Sequence, residues 1–244
     1  MNYESLLELV KKRRSIRCFK PDPVPDEYIE KIIDAARWAP SGFNMQPWEF
    51  AVVKKPKLKE EIVKLIGEGF LQFKEMETTR EPWQGALWKL NIMNKKGMDF
   101  TKAPVYIILL GDPRTNAGLP MGIRFDPNLC QSVYRDSLAS AFLYMHLAAT
   151  TLGLASQWVS AIKLPFVHCM VKDLLGIPNS MEIHDMMALG YPAIRPSRKF
   201  LRNTEKMVHY DKCDKDDFRT DEEVRDFVKR SRSWTIGVLS RSPD

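Results

Sequence analysis

Long apolar runs are missing from this 244-residue chain. The most apolar stretch with a strand pattern, Val105 to Leu110, is far shorter than the roughly 20 residues a membrane-spanning helix needs. Met1-Asn2-Tyr3-Glu4 also lacks the apolar region of a signal peptide, so no membrane partner and a cytoplasmic location are expected. Cysteine is scarce. Cys18, Cys130, Cys169 and Cys213 have neither C-x-x-C spacing nor the density of a disulfide scaffold, and they read as free thiols. His146, His168, His184 and His209 lack metal-ligand spacing, and no metal site is expected. No G-x-G-x-x-G, G-x-x-x-x-G-K-[ST], H-E-x-x-H or G-x-S-x-G string occurs, so the chemistries tied to those motifs have no support. Internal repeats and low-complexity tracts are absent as well.

What is present suits one substantial core. Hydrophobic residues make up 44% and charged residues 28%, which excludes a disordered or fibrous chain and makes a single α/β or α+β domain the default. The net charge of +6 could imply an anionic partner, but the basic residues are dispersed and face an acidic stretch from Asp211 to Asp226. A generic polyanion surface and a specific phosphate pocket would both account for Arg13, Arg14 and Arg17. The pocket does so more economically, and no nucleic-acid partner is expected.

Taken in order, Tyr3 to Lys12 has the spacing of an amphipathic helix with basic residues toward its C-terminus. Asp26-Glu27 opens a second helix, whose face carries Tyr28, Ile29, Ile32, Ile33 and Ala36 and which Pro40 terminates. Trp48 to Val53 reads as a buried strand, Lys57 to Ile66 as a third helix, and Val105 to Gly111 as the clearest buried strand. Residues 67–101 could be a helical lid or an irregular packed excursion, and Asp112 to Pro127 reads as a long proline-rich loop. Tyr134 to Leu152, apolar nearly all round, is expected to be the central helix, with Gly153 at its cap. A strand over 156–160, a helix over 165–175 and a strand over 183–189 follow. A last helix is opened by a Thr220/Glu223 capping box.

Two motifs stand out. Ala39-Pro40-Ser41-Gly42-Phe43-Asn44-Met45-Gln46-Pro47-Trp48-Glu49-Phe50 joins the second helix to the first strand, and read alone it could be an ordinary helix-to-strand turn. One helix earlier lies Arg13-Arg14-Ser15-Ile16-Arg17-Cys18-Phe19. As a pair they resemble the nitroreductase family of flavoenzymes, in which an Arg-Arg-Ser-x-Arg-x-Phe run follows the first helix and an Ala-Pro-Ser-x-x-Asn-x-Gln-Pro-Trp-x-Phe run follows the second. Leu152-Gly153-Leu154-Ala155-Ser156-Gln157-Trp158 and Leu189-Gly190-Tyr191-Pro192 extend the resemblance. The segments 67–101 and 112–129 and the tail after Tyr210 match poorly.

The resemblance implies an α+β sandwich with a central, mostly antiparallel sheet flanked by helices. Residues 1–210 would form the FMN-binding domain, and 211–244 a C-terminal helical extension of it. It further implies FMN as cofactor, NAD(P)H as transient electron donor, a small-molecule acceptor such as a nitroaromatic or quinone, and ping-pong turnover in a homodimer with FMN at the interface. Residue by residue, Arg13, Arg14, Ser15 and Arg17 match the phosphate and ribityl contacts, and Arg198 and Lys199 match a second basic contact. Pro40, Ser41 and Asn44 match one edge of the ring site, with Ser41 and Asn44 reaching the flavin of the second subunit. Trp158, Val159, Ser160 and Ala161 match the loop over the other edge, and Ser137 is a ribityl-side candidate. No side chain is implied as catalytic, because the flavin carries the chemistry. A reductive dehalogenase or ene-type reductase of the same family, and a non-catalytic flavin- or polyanion-binding protein, are the alternatives.

Overall fold

The computed structural model describes residues 2–78, 99–194 and 199–240. Helix α1 (Tyr3–Lys12) is capped by Asn2, whose side chain accepts from the Ser5 N–H. Helix α2 (Asp26–Arg37) stops at Trp38, short of Pro40. Strand β1 (Trp48–Val53) and helix α3 (Pro56–Thr78) follow, the helix running well past the Ile66 expected from periodicity. The question of a lid falls largely on residues 79–98, outside the described residues.

Strand β2 (Val105–Gly111) is buried along its whole length. The segment read as a loop contains a 3-10 turn over Pro113–Gly118 and a single helical turn over Met121–Arg124. Helix α4 (Pro127–Thr151) begins earlier than expected. The proline that suggested a loop sits in the first helical turn, where its missing N–H costs nothing, and the Asp126 side chain caps the N–H groups of Asn128 and Leu129. Strand β3 (Ala155–Val159), helix α5 (Pro165–Leu175) and strand β4 (Glu182–Gly190) complete the core. Helix α6 (Asp221–Ser240) is opened by the expected capping box: Thr220 N–H donates to Glu223 Oε2, and Glu223 N–H to Thr220 Oγ1. Among the described residues no helix is long and apolar enough to cross a membrane.

The strands form one antiparallel sheet in the order β1-β2-β4-β3. Alternation along β2 divides the core. Val105, Ile107 and Leu109 pack with Ile29, Ile32, Leu138, Phe142 and Met145 from α2 and α4, whereas Tyr106, Ile108 and Leu110 pack with Ile62, Ile66, Val167 and Val171 from α3 and α5. Helices on both faces of an antiparallel sheet give an α+β sandwich. The free edge of β3 is covered by the chain leaving α1: Ile16 N–H donates to Ser156 O at 3.1 Å, and Phe19 bridges Pro192. α1 itself buries no residue, and Tyr3, Leu6 and Val10 remain exposed.

α4 approaches the sheet closely because Gly111 lacks a side chain. A Cβ there would lie 2.1 Å from Tyr134 Oη and 2.6 Å from Leu138 Cδ1. Gly111→Ala is therefore expected to destabilise the protein by about 1–3 kcal/mol through overpacking. Urea denaturation checks this, and an unchanged midpoint contradicts the described packing.

Candidate functional site

The turn between α2 and β1 is held by its own polar groups. Asn44 N–H donates to Ser41 O and Met45 N–H to Gly42 O. Ser41 Oγ accepts from Gln46 N–H at 3.1 Å, and Asn44 Oδ1 accepts from Gln46 Nε2 at 3.1 Å. Ser137, buried on α4, accepts from Gly42 N–H at 3.0 Å and donates to Val133 O at 2.7 Å. Ser137 thus ties the turn to α4. Gly42 permits that contact, since a Cβ would stand 2.2 Å from Val133 Cγ1. Pro40 and Asn44 are exposed at the surface of this turn.

The arginine run follows α1 directly. Arg14 Nη1 donates to the carbonyls of Lys11 and Arg13, so this guanidinium finishes the helix. Arg13 and Arg17 are half-buried, and among the described residues neither pairs with a carboxylate. Burial holds the Arg17 guanidinium below its ordinary pKa. Ser15 bridges Ser156, which places this run against β3.

β3 leads into the third group. Trp158 is partly exposed on one side and lies parallel to the buried His146 ring, 5.5 Å away at 12°. Phe142 meets Trp158 edge-on at 4.5 Å and His146 at 4.9 Å. His146 Nδ1 is 2.7 Å from Ser156 Oγ, whereas its Nε2 is buried without a partner among the described residues. Burial, with the nearby Arg13 charge, pushes the His146 pKa down to about 3. Val159 is buried, Ala161 half-buried and Ser160 exposed.

The turn over 160–163 is pinned by an ion pair that sequence reasoning missed: Lys163 Nζ lies 2.9 Å from Oδ2 of the fully buried Asp185. A bulge in β4 opposes Asp185 to Leu109 and Ile183 to Leu110, which leaves His184 unpaired in the ladder. His184 stands 3.7 Å from Asp185 Oδ2 and edge-on to Phe142 at 6.3 Å, with its pKa lowered to about 4 by burial. No local spacing announces this cluster. The one legible hint is the i, i+4 pair Phe142 and His146 on a helix face.

The expected residues fall into two groups. Arg13, Arg14, Ser15, Arg17, Trp158, Val159, Ser160 and Ala161 gather near the β3 edge, whereas Pro40, Ser41, Asn44 and Ser137 gather beside β1, at the other edge of the sheet. Their anchors on α4, His146 and Ser137, are separated by about 13 Å of helix at 1.5 Å per residue. Lys199 is exposed, and Arg198 lies outside the described residues.

Buried His146 and largely covered His184 set an acid limit. An unfolded histidine takes up its proton near 6.5, whereas His146 and His184 stay neutral in the fold down to about 3 and about 4. Below pH 6.5 the unfolded state therefore binds more protons, and stability falls as pH falls, by up to about 1.4 kcal/mol per pH unit for each histidine. Denaturation midpoints measured between pH 7 and pH 4.5 should decline, with a shallower decline in His146→Gln. A flat profile contradicts the burial of these rings.

The chain is similar to several known proteins. The chain is 39% identical over 79% of its length to iodotyrosine deiodinase 1 of Rattus norvegicus, spanning 64% of that relative. It is 30% identical over 85% of its length to a provisionally named NADH dehydrogenase/NAD(P)H nitroreductase of Methanothermobacter thermautotrophicus, covering 87% of it. An oxidized iodotyrosine deiodinase solved with FMN and 3-iodo-L-tyrosine superposes with a TM-score of 0.65 at 25% identity, over 85% of this chain and 100% of that one. With residues 10–191 matching the family directly, and the paired motifs standing on the fold those relatives share, the chain belongs to the nitroreductase family.

Proposed function

We propose that the protein is an FMN-dependent oxidoreductase that takes electrons from NAD(P)H and passes them to an aromatic or quinone acceptor. The observation that carries this reading is the pair of half-buried guanidinium groups, Arg13 and Arg17, without a carboxylate partner among the described residues. Desolvated cations in that state favour an anion with several oxygens, and a terminal phosphate suits the planar fork of arginine. The donor set therefore fits FMN. Bound there, the cofactor supplies a ring that accepts a hydride from a nicotinamide and yields two electrons to an acceptor.

The chain's own residues would bind, orient and exclude water. Arg13 and Arg17 hold the phosphate, and Arg14 secures the helix end from which they project. Trp158, fixed by Phe142 and His146, forms an apolar wall, and the Lys163–Asp185 ion pair keeps the Val159–Ala161 segment in place. Ser41 and Asn44 stand beside β1, at the opposite edge of the sheet from Arg13 and Arg17, and a homodimer would bring them to the flavin of the second copy. The exposed Tyr3, Leu6 and Val10 of α1, with Leu143 and Tyr144 of α4, offer an apolar surface for that association.

A second reading within the family is reductive removal of halogen from an aromatic ring. The 39% identity to a deiodinase favours it. The two readings share cofactor and donor and differ in acceptor.

Arg13→Ala or Arg17→Ala should each weaken FMN binding by about ten- to a hundredfold, the loss of one charge-assisted contact. Riboflavin binding should scarcely change. Equal losses for FMN and riboflavin would remove the phosphate assignment, and loss of heparin binding with flavin unaffected would favour a diffuse basic surface. Initial rates with donor and acceptor both varied should give parallel reciprocal lines, because one site serves both in turn; intersecting lines contradict the shared site.

A further inference from the structure

The turn beside β1 uses its polar side chains to shape itself. Ser41 Oγ and Asn44 Oδ1 both accept from Gln46, and Ser137 Oγ is engaged as donor and acceptor. What the turn leaves facing outward is the ring of Phe43, 56% exposed and without a ring contact among the described residues. Its backbone is unusual. Phe43 has φ 51°, followed by Asn44 at 57° and Gln46 at 46°. Asparagine adopts this left-handed region with little difficulty, but a bulky residue does so only at a cost that glycine or asparagine would avoid.

The strain is sustained from two sides. Gly42 is pressed on Val133 of α4, and Met45 lies against Gly118 of the loop after β2, where a Cβ would stand 2.3 Å from Met45 Sδ. A phenylalanine that served only the core would bury its ring, and a simple surface turn would place Gly or Asn here. Phe43 does neither: a large apolar ring is held outward, at a backbone cost, between two residues whose positions match the flavin site. Residues held in such sparsely populated backbone regions cluster at active sites and ligand clamps.

We propose that Phe43 is a specificity-determining residue that lays its ring against a flat aromatic electron acceptor. The inference rests on the flavin reading above. Ring faces and edges attract at centroid separations of about 4.5–7 Å, and a ring already fixed by its backbone loses little freedom on binding. Acceptors without a ring gain nothing from Phe43, so it selects among acceptors and leaves cofactor binding alone.

The test uses FMN-loaded protein, reduced with dithionite under anaerobic conditions and mixed with either p-nitrobenzoate or ferricyanide, which takes the two electrons as two ions. In Phe43→Ala the nitrobenzoate concentration for half-maximal reoxidation should rise roughly three- to tenfold. Ferricyanide reoxidation and the FMN dissociation constant should stay at wild-type values. Phe43→Tyr should behave as wild type. Phe43→Asn, which removes the ring but suits the left-handed backbone, should match Phe43→Ala on the acceptor while being at least as thermostable as the parent. Equal slowing with both oxidants, no change with either, or loss of FMN or dissociation of subunits in Phe43→Asn would overturn the proposal. The last of these would assign the ring to packing between copies. A wild-type protein that takes up no FMN would defeat the flavin reading itself, whereas normal FMN uptake with indifferent variants defeats only the role of Phe43.

Discussion

The close packing of α4 on β2 is the constraint from which the rest follows. Gly111 lets Tyr134 and Leu138 approach the strand, and the buried faces of Leu138, Ala141, Phe142, Met145 and Ala149 keep the helix in register over the sheet. Each large side chain buried there contributes on the order of 1.5–3 kcal/mol. Both halves of the candidate site hang from this helix. Ser137 holds the turn carrying Ser41 and Asn44, and Phe142 and His146 hold Trp158 at the opposite edge. A shift of α4 would move both.

Charge is distributed so that the protein leaves some cations unanswered and answers others. Lys163 is given a buried carboxylate and Arg14 is given helix carbonyls, each fixing a piece of backbone. Arg13 and Arg17 are left half-buried without such partners among the described residues. His146, buried near Arg13, stays neutral and so adds no charge of its own beside that guanidinium. The association of the two half-sites through a second copy would unite this cationic group with the turn beside β1.

Much of this was legible in the sequence, and what was not has physical reasons. α1, β1, β2 and α5 have their expected bounds because period and punctuation agree there. The start of α4 was hidden because Pro127 reads as a breaker, although a proline in the first turn is harmless once Asp126 caps it. The paired motifs announced the candidate residues, but they could not say that Ser137 is spent on holding Gly42, or that Arg14 closes its own helix. Lys163 and Asp185 meet only because β3 and β4 pair, so neither local spacing nor periodicity could join them. The left-handed backbone of Phe43 was equally silent, since no local pattern marks a phenylalanine for positive φ.

On the proposed reading, two copies of this chain together hold FMN, each supplying one arginine group and one Ser41–Asn44 turn. Native mass spectrometry of the purified protein in the presence of FMN tests it most directly. The expected spectrum shows a species of two 28.2 kDa chains carrying two FMN molecules, with cofactor and dimer lost together on mild activation. A single chain that retains FMN, or a dimer that never takes it up, would contradict it.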